Sequence, residues 1–393
     1  MAYDYLNRFL KKIGYSVFMK GLAITSRGLE ETASAEIMEL IGRKCGISEG
    51  CVAFEFKKSE ELCLLCYKAQ SVDRVIHLIG SFEFKDFLKE LEEFLGKTSL
   101  DEWMKSHKVF RVECTRLGTH DFKSTDAETK AAKIILKKYG KNAEFSLREH
   151  EIMFFIYIAG SRCYFGVDFA GFELNKRGYK IFLHPSSLRG TIAYALVRES
   201  GFGKEDVLLD PFSRDGIVAI EAAFYSLDFP HNYFKKDRFA FTKLKLGMNY
   251  EKFFKSADKK IKKANHDIYA FDHLFKYVDY SKKNAKIAGV DKSINFSRVD
   301  LEWLDIKFKK ESVDRIATSL PSSKNANLEK IYKEFFYQAE YILKKDGRIA
   351  LIARIPELAM KHAESNNFEV IKQKEAWSGE QAMKMLLLKK KSI

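Results

Sequence analysis

The sequence predicts an α/β protein whose C-terminal half is a doubly wound parallel sheet, preceded by two smaller α+β units. From "LRGTIAYALVRESG" onward, helical stretches alternate with short apolar strands, which is the pattern of a parallel sheet. Acidic residues close three of those strands, and the first 171 residues instead mix amphipathic helices with alternating strands. A chain of 393 residues is long enough for two or three such domains.

The first unit is predicted to cover residues 1–84. Its strands are "YSVFMKGLAIT" and "CVAFEFK", and its helices are "GLEETASAEIMELIG" and one or two within "SEELCLLCYKAQSVDRVIHLIG". Cys63 and Cys66 form a CxxC within that amphipathic stretch. Because no second pair follows at zinc-site spacing, we expect apolar packing and no metal site.

The second unit is predicted to cover residues 85–171. It contains the helices "FKDFLKELEEFLG" and "DAETKAAKIILKKYG" and the strands "VFRVECTRLG", "IMFFIYIAG" and "SRCYFGVDFAG". The following stretch, "FELNKRGYKIFLHPSS", is basic and lacks periodicity. We therefore predict a linker at 172–186 and a third domain at 187–393.

In the third domain, the residues that close the strands are the candidate site. The predicted strands are "DVLLD", "DIYAFD", "INFSRVD", "VDRIATS" and "GRIALIA". Ligands of such sheets bind beyond the carboxyl ends of the strands. The residues to consider are Asp210, Asp272, Asp300 and Ser319.

Three acidic strand ends favour a nucleoside ligand without phosphates. Asp210 precedes a tight loop and a helix start, Asp272 is placed to accept ribose hydroxyls, and Asp300 can accept from an adenine amine. S-adenosylmethionine fits this set, and the GxGxxG of dinucleotide sites is absent. The alternative is that these residues cap helices. In "ATSLPSSKN", a Pro turn places Ser319 and the Leu320 carbonyl beside a methyl donor, or else forms an ordinary loop.

The formal net charge of +14 favours a polyanionic partner, nucleic acid before membrane. Part of that charge lies in scattered Lys pairs that can equally be solvated surface. No run approaches the roughly 20 apolar residues of a membrane span. The N-terminal "MAYDYLNRFLKK" lacks a signal-peptide core, so a cytoplasmic location is expected.

Several segments together resemble the THUMP-containing, S-adenosylmethionine-dependent RNA methyltransferases that methylate the exocyclic amine of guanine in tRNA. They are "LAITSRGLEETASAEI", "TRLGTHDFKS", "GVDFAGFELNKRGYKIFLHPSSLRGTIAYAL", "FPHNYFKKDRFAF" and "FDHLFKYVDYSKKNAKIAGV". The resemblance covers nearly the whole chain. It implies a ferredoxin-like N-terminal domain, a THUMP domain and a C-terminal Rossmann-like methyltransferase domain.

The resemblance also implies that the two N-terminal domains hold the acceptor stem and 3′ end of tRNA. The candidate contacts are Arg116, His120, Lys123 and Ser124 in one loop, and Lys176, Arg177 and Tyr179 in the linker. Lys and Arg would neutralise phosphates, and Tyr179 could stack or pack. The alternative for each is solvated basic surface. Some family members work with a small activating protein subunit.

The cofactor loop departs from the family pattern Asp-Pro-Phe-Cys-Gly-Ser-Gly-Thr. Here the loop is Asp210-Pro211-Phe212-Ser213-Arg214-Asp215-Gly216-Ile217. Asp210, Phe212 and Gly216 keep the family residue types, and by resemblance they join Asp272 and Asp300 as cofactor-binding candidates. Arg214 replaces a glycine that lets backbone approach the cofactor. We expect Asp215 to pair with it.

The catalytic motif departs as well. The family has Asn-Leu-Pro-Phe-Gly, whereas this chain has Ser319-Leu320-Pro321-Ser322-Ser323. In the family, the Asn oxygen and the next carbonyl accept hydrogen bonds from the target amine, and the aromatic ring stacks on the flipped base. Ser319 is shorter, and Ser322 cannot stack, which forfeits about 1–3 kcal/mol. The changes at the loop and at this motif are interpreted as independent.

Two hypotheses follow from the sequence. The first is a tRNA guanine-N2 methyltransferase with a divergent site, in which Ser319, Leu320, Pro321 and Ser322 form the catalytic segment. The second is a tRNA-binding protein of the same architecture whose catalytic domain is silent.

Overall fold

The computed structural model describes residues 19–263, 267–323 and 326–391, so the N-terminal segment "MAYDYLNRFLKK" lies outside the described residues. The chain forms two compact units. The first comprises the described part of Met1–Thr25 together with Ala33–Leu174 and Phe234–Lys255. The second comprises Ser26–Thr32, Asn175–Tyr233 and the described parts of Ser256–Ile393.

The first unit is built on an eight-stranded sheet. Its strands are β1 (Met19–Thr25), β2 (Cys45–Ser48), β3 (Cys51–Phe56), β4 (Val72–Glu83), β5 (Val109–Leu117), β6 (Glu144–Phe145), β7 (Ile152–Ala159) and β8 (Arg162–Asp168). Their order is β2-β3-β1-β4-β8-β7-β5-β6. Since β4 pairs with β8, the strands of the two predicted N-terminal domains share one sheet. The predicted boundary at residue 84 stays a prediction.

Helices connect these strands. They are α1 (Glu30–Ile41), α2 (Ser59–Lys68), α3 (Phe87–Lys97), α4 (Asp101–Met104) and α5 (Ser124–Tyr139). Cys63 and Cys66 are fully buried on α2, which confirms the predicted apolar packing, and burial raises the pKa of both thiols. No cluster of potential metal ligands occurs among the residues that the structure describes.

The segment "VDRVIHLIG" was expected to be helical, and this prediction is wrong. It forms most of β4, which lies between β1 and β8 in the middle of the sheet. Val75 and Ile76 are adjacent in sequence and both are buried. A strand buried on both faces has no alternation of polar and apolar residues, so periodicity alone does not distinguish it from a buried helix.

The second unit is built on a seven-stranded sheet. Its strands are β9 (Leu208–Asp210), β10 (Ile268–Asp272), β11 (Ile294–Arg298), β12 (Val313–Ser319), β13 (Leu343–Ala353), β14 (Phe368–Ser378) and β15 (Gln381–Lys390). Their order is β11-β10-β9-β12-β13-β15-β14. The five predicted strands pair in parallel as expected. The hairpin β14–β15 was not predicted, and β15 runs antiparallel to both neighbours.

Helices cover both faces of this sheet. After residue 175, the helices that begin in the second unit are α6 (Gly190–Glu199), α7 (Ile217–Leu227), α9 (Phe275–Ala288), α10 (Leu304–Lys307), α11 (Leu328–Ile342) and α12 (Pro356–Ser365). One core contains Ile192 of α6 and Ile220 of α7, and the other contains Phe335 of α11. This arrangement confirms the doubly wound domain. The strand order reverses between β9 and β12, so a crevice is expected at their carboxyl ends.

Residues 234–255, which include part of the segment "FPHNYFKKDRFAF" and helix α8 (Tyr250–Asp258), belong largely to the first unit. Phe239 and Phe241 are fully buried, and their rings stack 4.8 Å apart. The amide of Phe241 donates to the Phe169 carbonyl at 3.0 Å. Within the described ranges, no helix has the length and hydropathy needed to cross a bilayer.

Candidate cofactor and catalytic site

A cavity of about 830 Å³ lies at the carboxyl ends of the parallel strands of the second unit. Residues that follow four successive strand ends contribute to its wall: Phe212 and Arg214 after β9, Asp272 at the end of β10, Asp300 after β11, and Pro321 and Ser322 after β12. Most of the sequence-predicted cofactor and catalytic residues therefore meet at one place, the crevice where the strand order reverses.

The cofactor loop is a tight turn that opens α7. The amide of Ser213 donates to the Phe271 carbonyl at 2.8 Å, and the amide of Gly216 donates to the Ser213 carbonyl at 2.7 Å. Gly216 has a φ of +81°, and a Cβ added there would lie 2.2 Å from the Oγ of Ser281 on α9. Glycine is thus required at 216 both for its backbone conformation and for the close approach of α9.

Asp210 lies beneath this loop and does not line the 830 Å³ cavity. Its Oδ1 accepts hydrogen bonds from the Thr318 hydroxyl at 2.6 Å and from the Phe212 amide at 3.3 Å. Burial raises the pKa of Asp210 to about 7, against the opposing effect of the Thr318 hydrogen bond. The carboxylate links β9 to β12 and supports the loop, and its contact with a cofactor stays a prediction.

Asp272 and Asp300 do line the cavity. Asp272 is 4% exposed; its Oδ2 accepts from the Arg214 amide and its Oδ1 from the Leu274 amide, each at 3.0 Å. Burial raises its pKa, and those backbone hydrogen bonds oppose the rise. Each carboxylate oxygen has a second lone pair, so Asp272 can still accept from a ligand hydroxyl. Asp300 is exposed where it lines the cavity.

Arg214 extends from the loop across the crevice to the end of β12. Its Nη1 donates to the Ser186 carbonyl at 3.2 Å and to the Ser319 Oγ at 3.1 Å. Its Nη2 donates to the carbonyls of Ser319 at 2.8 Å and Leu320 at 3.0 Å. The guanidinium therefore occupies the acceptors that the family resemblance assigns to the target amine.

The expected pairing of Asp215 with Arg214 is wrong. Among the described residues, no carboxylate bonds the guanidinium, and the Oδ2 of Asp215 instead accepts from the His184 amide at 3.4 Å. Burial lowers the pKa of Arg214, whereas the charges of Asp210, Asp215 and Asp272 raise it. An arginine remains a cation at neutral pH, so this side chain brings a fixed positive charge into the crevice.

Two hydrogen bonds fix the segment that follows β12. The Leu320 amide donates to the Ile352 carbonyl at 2.9 Å, and the Tyr332 hydroxyl of α11 donates to the Pro321 carbonyl at 2.7 Å. Burial raises the pKa of Tyr332 to about 12, so the phenol keeps its proton as a donor. Ser322 lies on the cavity wall where the family has an aromatic ring.

Two predicted RNA contacts in the linker are contradicted by their burial. Arg177 and Tyr179 are 5% and 4% exposed. Arg177 forms a bidentate ion pair with Glu221 of α7 at 2.7 and 2.9 Å, and the Tyr179 hydroxyl donates to the same carboxylate at 2.6 Å. These side chains attach the predicted linker to α7 and cannot reach a phosphate in this conformation. Lys176, by contrast, is exposed.

Asn284 of α9 is a site-forming residue that the sequence analysis missed. Its buried amide accepts from the Ile181 and Phe182 amides at 3.2 and 3.0 Å, and donates to the carbonyls of Phe182 and Asp215 at 2.8 and 3.0 Å. It thereby joins residues 181–182 to the cofactor loop. The sequence does indicate that Asn284 is buried, since it lies at helical spacing from the buried Ser281 and Ala288.

The four predicted RNA contacts of the first unit lie at the end of β5 (Arg116), in the following loop (His120 and Lys123) and at the start of α5 (Ser124). The Nε of Arg116 donates to the Ser124 Oγ at 3.2 Å, and the Nε2 of His120 lies 2.7 Å from the Gly160 carbonyl. Lys123 is exposed at the residue that precedes α5. Arg116, His120 and Ser124 thus shape the loop, and Lys123 presents its ammonium to solvent. Their contact with RNA stays a prediction.

The family model described as RMKL-like, methyltransferase domain matches residues 177–384, more than half of the chain. The chain belongs to this UPF0020 family. A second model, that of the THUMP domain, matches residues 85–168. The predicted THUMP-containing methyltransferase architecture is confirmed, and S-adenosylmethionine is the cofactor that the family implies.

Proteins similar to this UPF0020 member align with it over nearly its whole length. A protein of Methanocaldococcus jannaschii named tRNA (guanine(6)-N2)-methyltransferase is 27% identical over 88% of this chain and 93% of its own length. The solved structure of a possible methylase from Clostridium difficile 630 superposes with a TM-score of 0.80, at 20% identity, over 96% of this chain and 99% of that chain. TrmN from Thermus thermophilus superposes with a TM-score of 0.69, at 22% identity, over 95% and 99%. The two structural likenesses show the fold alone.

Proposed function

We propose that the protein is an S-adenosylmethionine-dependent RNA methyltransferase that acts on the exocyclic amine of a guanine in tRNA. The observation that carries the proposal is the cavity whose lining includes Asp272 and Asp300, at the ends of neighbouring strands of a UPF0020 domain. The THUMP domain in the same chain and the printed name of the Methanocaldococcus jannaschii relative support tRNA as the substrate.

The nucleoside half of the cofactor suits the residues of the cavity. Asp272 and Asp300 both line the cavity; in the proposal, Asp272 accepts hydrogen bonds from the ribose hydroxyls and Asp300 accepts one from the adenine amine. Phe212, Val299 and Leu301 add apolar wall for the base. When bound, S-adenosylmethionine would supply the methyl group: its sulfur–methyl bond would break as the nitrogen–methyl bond forms, the amine would lose one proton, and S-adenosylhomocysteine would be the leaving product.

The target amine needs the oxygens at the end of β12. The Ser319 hydroxyl and the carbonyls of Ser319 and Leu320 all accept hydrogen bonds from Arg214 in the crevice, so these oxygens are oriented toward it. In a productive complex these oxygens would orient the guanine amine, as the family resemblance implies. Arg214 must leave them before the amine can bind.

The tRNA surface is proposed to combine the THUMP domain with exposed cations of both units. Lys123 lies on the loop with Arg116, His120 and Ser124, and Lys176 precedes the buried Arg177. These cations suit the phosphates of the acceptor stem and 3′ end. The cytoplasm is the proposed location.

A small activating protein subunit is part of the proposal. Trp303, Ile306 and Tyr337 are 56%, 70% and 63% exposed on the methyltransferase domain. They come from α10, the residues just before it and α11, which lie against one another. Large apolar side chains exposed together are typical of a protein-binding surface.

A second candidate function is a tRNA-binding protein whose methyltransferase domain is silent. One observation favours it: the guanidinium of Arg214 fills the amine acceptors and is itself buried, 9% exposed. In that case the domain would contribute architecture and a nucleoside pocket without methyl transfer.

The deciding experiment incubates the protein with tRNA and isotope-labelled S-adenosylmethionine and quantifies N2-methylguanosine after digestion. We expect labelled N2-methylguanosine with the wild type, and a loss of about 100-fold with Asp272→Ala. Lys204→Ala, which changes a partly exposed cation that does not line the cavity, serves as the matched control and should retain activity. Absence of label with every tRNA, with intact and salt-sensitive tRNA binding, would favour the second candidate.

A further inference from the structure

We infer that Arg214 sets the ligand class of the cavity: it makes the site prefer neutral adenine nucleosides without an amino-acid tail over S-adenosylmethionine. The inference rests on the proposed cofactor site and concerns how that site discriminates between ligands. It predicts that S-adenosylmethionine binds in the family manner only when the Arg214 side chain moves.

The first support is the space around the guanidinium. On one side of Arg214 lies the cavity of about 830 Å³, with Asp272 and Asp300 in its wall. Two smaller spaces also border Arg214: one of about 60 Å³ next to Leu320 and Ser322, and one of only about 10 Å³ against the cofactor loop, next to Asp210. The space against the loop holds at most one water molecule, so a methionine chain that lies along the loop requires Arg214 to move.

The second support is the set of hydrogen bonds that keeps Arg214 in place. Four oxygens, from Ser186, Ser319 and Leu320, accept from its two terminal nitrogens at 2.8–3.2 Å. Hydrogen bonds from a charged donor are stronger than neutral ones, and a buried guanidinium that loses its partners is unfavourable. A ligand tail that displaces the side chain must compensate for all four bonds.

The third support is charge. The reactive end of S-adenosylmethionine is a sulfonium cation, and Arg214 is a permanent cation. Asp210, Asp215 and Asp272 already interact favourably with the guanidinium charge. A second cation beside it meets repulsion that a low-dielectric crevice screens poorly. A neutral thioether at the same position avoids this repulsion.

The backbone of Arg214 gives a fourth argument. Its φ is +52°, in the left-handed region where side chains with a Cβ are unfavourable. The loop therefore keeps the conformation that a glycine would adopt, although the residue carries a long side chain. A variant with glycine at this position should keep the loop and remove only the obstruction.

The test is calorimetric titration of the full-length protein with 5′-methylthioadenosine, S-adenosylhomocysteine and S-adenosylmethionine. The first ligand has neither tail nor charge, the second has the tail, and the third has the tail and the sulfonium. For the wild type we expect affinity to fall in that order, with at least about a tenfold difference between the first and the third. Arg214→Gly should reverse the order and strengthen S-adenosylmethionine binding by about tenfold or more.

The matched control is Arg354→Ala, which removes a cation from the same cavity wall without touching the four acceptor oxygens. It should keep the wild-type order of ligands. Arg214→Lys, which retains the charge, should keep the preference against the sulfonium and guards against an unstable glycine variant. If the wild type and Arg214→Gly bind the three ligands in the same order of affinity, this inference is wrong, while the proposed cofactor site still stands. Absence of binding for all three ligands in both proteins overturns the proposed cofactor site as well.

Discussion

Arg214 and Ser319 are hydrogen-bonded to each other across the crevice, with the Nη1 of Arg214 3.1 Å from the Ser319 Oγ and the Nη2 2.8 Å from the Ser319 carbonyl. These residues stand at two of the positions where the chain departs from its family pattern. The interpretation of the departures as independent is therefore wrong. A serine is shorter than the family asparagine, and its hydroxyl accepts from the arginine that replaces the loop glycine.

The contact predicts energetic coupling between the two positions. Arg214→Ala and Ser319→Ala are made singly and together. The change in the free energy of unfolding of the double variant should differ from the sum of the two single changes by about 0.5–3 kcal/mol, because each substitution removes the partner of the other side chain. Urea denaturation measures the cycle. The cycle of Lys292→Ala with Ser319→Ala is the control, because Lys292 is exposed and lines none of the cavities around Arg214, and it should be additive within about 0.5 kcal/mol. Additivity in both cycles contradicts the coupling.

Alanine substitutions at the neighbouring residues 176 and 177 are predicted to have very different effects on stability. Arg177→Ala leaves the Glu221 carboxylate buried without its bidentate partner, so it should lower the free energy of unfolding by about 3–5 kcal/mol. Lys176→Ala alters an exposed side chain and should change stability by less than about 0.5 kcal/mol.

The two variants also distinguish a structural role of a residue from a role in RNA binding. If Lys176 contacts a phosphate, Lys176→Ala should weaken tRNA binding and reduce the salt slope of the binding constant by about one. Filter binding at several salt concentrations measures this slope. A stable Arg177→Ala protein that has lost tRNA affinity would show instead that Arg177 is an RNA ligand.

Asp210 predicts a pH dependence of stability. Its folded-state pKa is raised by burial to about 7, whereas an unfolded aspartate titrates near 3.9. The folded protein thus binds this proton more tightly, so the stabilisation is full below about pH 4 and is lost as the pH rises through about 7. Asp210→Asn keeps an oxygen for the Thr318 hydroxyl and cannot ionise, so this loss should disappear.

Urea denaturation of the wild type and Asp210→Asn between pH 5 and 8 measures the effect. The stability of the variant relative to the wild type should increase with pH. Thr318→Val removes a hydrogen bond that favours the charged carboxylate, so it should move the midpoint above 7. Parallel pH curves for the wild type and Asp210→Asn would rule out an Asp210 titration in this range.

The strands that position the site could be predicted from the sequence because each is a short apolar run closed by a polar residue. "VDRIATS" coincides with β12, and Asp272 ends β10 as expected. The reversed strand β15 could not be predicted, since "QAMKMLLLKK" has no feature that encodes its direction. Its orientation depends on pairing with β13 and β14, which are separated from it by turns and a helix.

The positions of the long polar side chains were the least predictable part of the site. Arg177 and Lys176 are adjacent basic residues, yet Arg177 is buried because Glu221, 44 residues later, supplies a carboxylate inside the second unit. Arg214 was visible as a departure from the family, but its acceptors lie 28, 105 and 106 positions away in the chain. Local pattern does not report such contacts, which form only when the sheet brings β9 and β12 together.

The central claim is that Asp272 holds a ribose in the cavity, and ligands that differ only in ribose hydroxyls test it most directly. Calorimetry should compare adenosine with 2′,3′-dideoxyadenosine on the wild type and on Asp272→Ala. We predict that loss of the hydroxyls weakens binding to the wild type by about tenfold or more, and has little effect on Asp272→Ala. Equal affinity of the wild type for the two nucleosides, or no affinity for either, would contradict the claim.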